Sequence, residues 1–296
     1  MRGSGVGVTA GWVRIGAAAL GGLVAGGVAA YVVATLRWRR ATERALARLD
    51  FLALGGENVP RLPFSREHIA GLPGPVARYF DFALTPGRPL VRRAHIRWAG
   101  EFFTGSKWNP FTAEQHFSAR PPGFVWDADI RMMPMLPVRV RDGYVAGEGA
   151  MLGKLAGLVS LVDQRGTPEL AASALIRYLA EAVWFPTALL PNEGVSWTPV
   201  DDRTARASLT DGLTTVSVDF HFGERGEIVG VSAMRHRDVD GTPILTQWVG
   251  RYRDYMRADG MMIPTGGEVE WVLAEGPLPY WRGQVVAVNY GIARRR

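Results

Sequence analysis

The residues best placed to do chemistry are Glu114-Gln115-His116, with Asp127 and Asp129 on the run that follows. Glu114 and His116 lie two apart, so an extended strand puts them on one face. A hairpin can bring one of the acids opposite them as a general acid/base pair, which makes a hydrolase the alternative class of function. The competing reading is a solvated outer face, and the alternation of neighbouring residues favours it. The familiar catalytic spacings are absent from the sequence: no Gly-x-Ser-x-Gly, no His-Glu-x-x-His, no phosphate-binding Gly-x-x-x-x-Gly-Lys and no paired-glycine fingerprint. The five histidines, at 68, 95, 116, 221 and 236, are scattered, so no catalytic residue, metal ligand or cofactor is assigned.

Large rings form the second candidate. Trp108, Phe111, Trp126, Tyr178, Trp184, Phe185, Trp197 and Trp271 fall on strand-like runs or on one helix, where they can line a concave apolar cavity. Ligand cavities are apolar with a few polar anchors, for which Glu114, Glu181 and Arg177 are available. A ring-filled core is the competing reading, and the simpler one for any single ring. The expected ligand-binding set is Trp108, Phe111, Glu114, Trp126, Tyr178, Glu181 and Trp184. Glu181 is read as an exposed partner of Arg177, one helical turn away on a polar stripe.

Positioning these groups falls to strands and one helix. In 124–130 the apolar residues Phe124, Trp126, Ala128 and Ile130 alternate with Asp127 and Asp129. In 215–222 Val216, Val218, Phe220 and Phe222 face away from Thr215, Ser217, Asp219 and His221, and Val269, Trp271 and Leu273 oppose Glu268 and Glu270. Asp-Gly pairs at 142, 211, 240 and 259 read as two-residue hairpin turns. A helix is expected over 168–190, with Thr167 as N-cap, Pro168 at the first position and Glu169 in the first turn. Its apolar stripe is Leu175, Tyr178, Leu179 and Ala182, and its polar stripe is Glu169, Ser173, Arg177 and Glu181. A short helix opens at Pro75, after the prolines at 60, 63 and 73. About six strands before the long helix and six after it imply a strongly curved antiparallel sheet, a half-barrel with the helix over its concave side; a closed barrel is the alternative.

The N-terminus carries a different signal. Residues 15–36 contain no charge over 22 positions, about 33 Å of helix, with Arg14 on one side and Arg37, Arg39 and Arg40 on the other. This reads as a membrane anchor, with Trp12, Tyr31 and Trp38 as interfacial rings and Gly22 and Gly26 as a small-residue step. The span runs into Leu36-Arg37-Trp38, a poor cleavage site for a signal peptide. The heavier arginine cluster follows the span, which favours the inner membrane with the domain on the cytoplasmic side; Arg2, Arg14 and the N-terminal amine pull the other way. The chain's formal charge is +6, yet residues 1–50 carry +5 and the last three arginines +3, leaving the other 243 residues at −2. So near-neutral a body lacks the footprint that nucleic-acid binding needs. The chain has 296 residues and no cysteine, enough length for a large core and no means of stapling it with disulfides.

The stretches Trp108-Asn109-Pro110-Phe111-Thr112-Ala113-Glu114-Gln115, Pro121-Pro122-Gly123-Phe124-Val125-Trp126 and Arg177-Tyr178-Leu179-Ala180-Glu181-Ala182-Val183-Trp184-Phe185-Pro186 resemble an uncharacterised bacterial family of unknown function over about 70–292. That resemblance implies no activity. More distantly, the order of strands, helix and further strands is similar to the half-barrel of periplasmic lipoprotein carriers, a likeness of architecture alone. The organisation expected is an anchor at 1–40, a helical linker at 41–90 and a mainly β domain at 91–292. Its expected role is to bind a hydrophobic or lipid-like ligand, with a hydrolase or a non-catalytic envelope scaffold as rivals.

Overall fold

The alternating runs fold as strands, each paired antiparallel with its chain neighbours, in a computed structural model that describes the backbone of residues 8–54, 63–133 and 136–291, and their side chains except 8–24 and 54. Pro60 and the last three arginines lie outside these residues, and the side chains of Trp12 and of the first ten residues of the proposed span, Gly22 included, are not among those described. The first arm is β1 (Arg93–Phe103), β2 (Trp108–Ser118), β3 (Gly123–Met133), β4 (Leu136–Val145), β5 (Glu148–Leu155) and β6 (Val159–Arg165). The second is β7 (Val195–Asp201), β8 (Thr204–Asp211), β9 (Thr214–Phe222), β10 (Ile228–Val239), β11 (Thr242–Ala258), β12 (Met261–Leu273) and β13 (Gly276–Gly291). The two meanders join where β1 pairs with β13, giving one 13-stranded sheet with β6 and β7 at its open edges.

Side-chain bonds across the sheet measure its curvature. β4 and β8 are nine strand steps apart, about 43 Å on a flat sheet at ~4.8 Å per strand. Yet Tyr144 Oη of β4 donates to Asp211 Oδ2 of β8 at 2.7 Å, and Gln164 Nε2 of β6 donates to Asp238 Oδ2 of β10 at 2.7 Å. The sheet therefore curls until its arms meet around the helix they enclose. That helix, α3 (Pro168–Glu181), begins as the sequence indicates, the Thr167 hydroxyl accepting from the Leu170 amide. It is shorter than the 168–190 expectation. Three single 3-10 turns at Ala182–Trp184, Pro186–Leu189 and Pro191–Glu193 replace its last third, because Pro186 and Pro191 cannot donate to a continuing α-helical ladder.

The strand faces match the alternation: Val216, Val218, Phe220 and Phe222 are buried, as are Phe124, Trp126, Ala128 and Ile130. Asp240-Gly241 and Asp259-Gly260 both have positive φ and turn their hairpins as read. Asp142-Gly143 does not. Both residues lie inside β4, and the turn falls at Ala146-Gly147; a Cβ on Gly143 would come within 2.9 Å of the Phe124 carbonyl oxygen, so the glycine serves close strand approach.

Two helices lie outside the concave face. The short helix α2 (Gly74–Ala83), with Pro75 in its first turn, buries Val76, Tyr79, Phe80 and Ala83 at the end of the sheet where the β7–β8 and β9–β10 turns lie; Arg78 reaches the Asp202 carbonyl there. The long α1 (Val8–Leu54) runs through the expected boundary at residue 40 and crosses the convex face. Among the described residues no helix is long and apolar enough to cross a membrane. Trp38, read as an interfacial ring, is instead 7% exposed against the sheet. Its Nε1 and the Thr42 hydroxyl both donate to Asp127 at 2.9 Å, and Arg141 lies over its ring, 4.6 Å from the centroid. Asp127 thus sits beneath a helix rather than on a solvated face, and burial pushes its carboxyl pKa up, against the pull of Trp38, Thr42 and Arg141.

Removing that carboxylate leaves the Trp38 indole N–H without its acceptor and the Thr42 hydroxyl with only the Trp38 carbonyl, at a cost of about 1–3 kcal/mol for the unpaired indole. Asp127→Ala should therefore raise hydrogen exchange across 31–50 while leaving β1 to β5 protected. Unchanged exchange in α1 would show that other contacts hold it.

Candidate functional site

The helix α3 is buried on both of its stripes. Leu175, Tyr178, Leu179 and Ala182 pack in the core as expected, but the polar stripe also points inward. The Arg177, Glu181 and Asp142 side chains are only 14%, 13% and 11% exposed. This corrects the reading of Glu181 as a surface residue: a sheet that curls around a helix leaves it no free side. The buried charges are met by partners from four elements. Arg177 Nε donates to Glu181 Oε1 at 2.8 Å and its Nη1 to Asp142 Oδ2 of β4. Gln115 Nε2 of β2 donates to Glu181 Oε2 at 2.7 Å, and Gln115 Oε1 accepts from Trp98 Nε1 of β1 at 2.9 Å. The guanidinium also lies over Phe124 and Trp126, at 5.0 and 5.2 Å from the ring centroids. Burial works against the charge on Arg177, but Glu181 and Asp142 more than offset it and hold its pKa above the usual arginine value. Burial raises the Glu181 pKa, with Arg177 and Gln115 pulling it back.

Beside this network the arms enclose a cavity of about 940 Å³, at the upper end of the roughly 300–1,000 Å³ usual for ligand sites. Trp126, Trp184, Trp248, Trp271 and Trp281 contribute to its wall, together with Arg177 and Glu181. Val269 and Trp271 are half-buried, although they sit on the inward face of β12, because that face borders the cavity. The Nε1 atoms of Trp126 and Trp281 are buried and have no partner among the described residues, and both rings flank Phe111, at 5.7 and 5.9 Å.

One wall carries a cation of another kind. Arg235 of β10 donates from Nε to the Ser173 carbonyl at 3.0 Å and from Nη1 to the Tyr280 hydroxyl at 3.4 Å, with its guanidinium 5.3 Å from the Trp248 ring and 5.8 Å from Trp271. All its partners are neutral. Among the described residues it forms no ion pair, whereas Glu268, Asp163 and Asp238 of the same cavity wall are engaged by Arg251, Arg165 and Gln164.

Of the seven residues expected at a ligand site, the structure brings Trp126, Glu181 and Trp184 to the cavity. Phe111 lies in the core behind Trp126 and Trp281, and the Tyr178 hydroxyl donates to the Ala119 carbonyl at 3.2 Å. Trp108 sits under Arg282, 4.5 Å from its ring centroid. Glu114 is on the convex face. The register does set Asp127 opposite it, yet its carboxylate bonds His95, while Asp127 serves α1 and Asp129 pairs with Arg139 at 3.4 Å. Glu114, Asp127 and Asp129 thus border one cleft of about 490 Å³ on the convex face, outside the tryptophan-walled cavity, and each is engaged by a partner of its own. Sequence reasoning missed Trp98, Asp142, Trp248, Trp281 and Arg235, and it named Gln115 only as part of the acid/base cluster. A usable signal was present for several of them, since Gln115, Asp142 and Arg235 each interrupt an apolar face at period two, after Phe111 and Ala113, Val138 and Val140, and Val231 and Ala233.

Among the described residues no group of three or more histidine, aspartate or glutamate side chains is placed to hold a metal ion. A family model described as a family of unknown function, DUF6920, matches residues 70–290. Similar solved structures include a DUF1329 family protein from Desulfovibrio piger ATCC 29098, at 10% identity and a TM-score of 0.41, covering 69% of this chain and 88% of that one. A LolA superfamily protein from Nitrosomonas europaea matches at 8% identity and 0.37, covering 75% and 93%. A β-barrel-like protein of domain of unknown function DUF1849 from Brucella abortus matches at 12% and 0.22, covering 69% and 99%. No curated protein matches the chain.

Two outcomes follow from the charges. Glu181→Gln leaves Arg177 short of a buried counter-charge and should cost more than about 2 kcal/mol in urea unfolding, whereas the convex-face Glu114→Gln should cost about 1 kcal/mol or less. Equal small losses would contradict the buried network. His116 stacks on His95 with ring centroids 4.1 Å apart; burial first and His95 second lower its pKa from 6.5 to about 4, with Glu114 and Asp50 pulling upward. Between those values the unfolded chain binds the extra proton, so this part of the stability is present above pH 6.5 and is lost as pH falls toward 4. His116→Gln should flatten that limb of the stability profile, and an unchanged slope would remove His116 from it.

Proposed function

We propose a role for this chain, which belongs to the DUF6920 family: it binds a hydrophobic or lipid-like ligand inside the curled sheet while residues 15–36 hold it at a membrane. The observation that carries the reading is the cavity of about 940 Å³ walled by tryptophans beside the Arg177–Glu181–Asp142–Gln115 network. A large apolar cavity with a few fixed polar groups is the usual form of a ligand site. Aromatic cores ordinarily close on themselves, and here several rings stop short of doing so. The anchor reading draws on the uncharged span and its flanking arginines, and the heavier cluster after the span favours the inner membrane with the domain on the cytoplasmic side.

Arg235 refines the ligand class. A guanidinium held by neutral acceptors between two indole rings has no counter-charge and keeps its remaining Nη donors for an incoming oxygen anion. The ligand we infer is an acyl chain with an anionic head. Laurate and dodecyl phosphate, titrated against the tryptophan emission of the full chain, should bind at least about tenfold more tightly than dodecanol, the margin of one charge-assisted hydrogen bond. Arg235→Gln should abolish the preference and Arg235→Lys keep much of it. Equal affinity for the three ligands would refute the anionic head, and binding of none of them would refute the ligand site itself.

A further inference from the structure

The hairpin tips around the cavity mouth are apolar where water should make them polar. The β3–β4 tip exposes Met133 and Leu136, the β5–β6 tip exposes Leu158, Val159 and Leu161, and the β10–β11 tip exposes Ile244 and Leu245, each between 42% and 57%. Antiparallel connectivity puts the β1–β2, β3–β4 and β5–β6 turns at one end of the first arm, and the pairing of β1 with β13 puts the β12–β13 and β10–β11 turns at the same end of the second. These tips converge, since Phe103, Met132, Leu161, Gly241, Pro243 and Leu278 all border the cavity. The opposite end is plugged by α2.

The helix α1 enters the fold at this same end. Its contacts march along the convex face: Tyr31 lies under Arg139, and Ala34 lies 3.5 Å from the position of a Cβ on Gly157 in the β5–β6 turn. Trp38 and Thr42 follow at Asp127, then Arg48 at Glu148 and Asp50 at Arg93 near the far end. Val28, Val32, Val33 and Leu36 of α1 are exposed beside the tips. Of the eighteen exposed large hydrophobic residues among those described, these four and the seven on the tips lie at this one end. Scattered single apolar residues need no explanation, but a concentration of this kind marks an interaction surface.

A length argument names the occupant. Tyr31 and Ala34 already lie against the sheet, so at most residues 15–30 of the uncharged span remain for a bilayer, 16 residues or about 24 Å of helix. A bilayer core is about 30 Å thick. We propose that the apolar hairpin rim seats in the surface of a lipid bilayer, so that the cavity mouth opens toward the membrane and the rim makes up the depth that the helix lacks. This rests on the anchor reading above, and it gives a sparingly soluble ligand a route to the cavity that avoids water.

The absence of cysteine allows a direct test, because one introduced thiol labels one site. The full chain is reconstituted in phosphatidylethanolamine/phosphatidylglycerol vesicles carrying a doxyl-lipid quencher, with an environment-sensitive fluorophore on V28C, L158C, I244C or V200C. Val200 is exposed on β7, away from the rim, and all four sites are exposed, so each substitution should leave the fold intact. Labels at Leu158 and Ile244 should be quenched at least twofold more than the label at Val200. Quenching at Val28 with none at Leu158 and Ile244 overturns the seating of the rim and leaves the anchor standing. No quenching at any of the four overturns both.

Discussion

The buried Arg177 guanidinium is the constraint on which the rest of the structure depends. A charge placed inside a protein must be paired and hydrogen-bonded or it is prohibitively costly. Arg177 meets that requirement with a carboxylate from its own helix and another from β4, and Glu181 in turn needs Gln115 of β2, which is fixed by Trp98 of β1. The helix is thereby held at one depth and one rotation within the first arm. Ser173, at the other end of the same stripe, bonds the backbone of His236 in the second. One polar stripe thus holds α3 between the two arms, and a network that cannot be compressed keeps the neighbouring tryptophans from collapsing into a filled core.

This explains why a wall so rich in aromatic rings encloses space. Trp184 is fixed by its bond to the Pro264 carbonyl, Trp248 by the Tyr280 hydroxyl, and Trp98 by Gln115. Rings tied by their N–H groups cannot slide toward one another to fill a void. The indoles of Trp126 and Trp281 lack such ties among the described residues, and both border the cavity. Apolar walls and an arginine without a counter-charge are the features from which an acyl chain with an anionic head is inferred.

Much of the fold was legible in the sequence because a sheet with one buried face writes its register as alternation. Thr215 to Phe222 and Phe124 to Ile130 face as their pattern indicates, and Thr167-Pro168-Glu169 starts α3 where capping chemistry places it. What misled was polarity taken as exposure. Glu181 and Arg177 have the spacing of a surface pair, and only the curl of a 13-stranded sheet around the helix buries them. Asp142-Gly143 looks like a turn, yet the aspartate serves Arg177 and the glycine lets β3 approach. Trp38 has the flanking arginines of an interfacial ring, but Asp127, 89 residues away, claims it. Each error is non-local: the deciding partner comes from a strand that no local pattern connects to the residue.

The central claim is that the curled sheet holds a hydrophobic ligand, and native mass spectrometry of the full chain released from detergent micelles tests it most directly. The account predicts a 1:1 adduct with the mass of an acyl lipid that survives mild activation and is replaced by added laurate. A bare chain mass, unchanged when laurate is supplied, would contradict it.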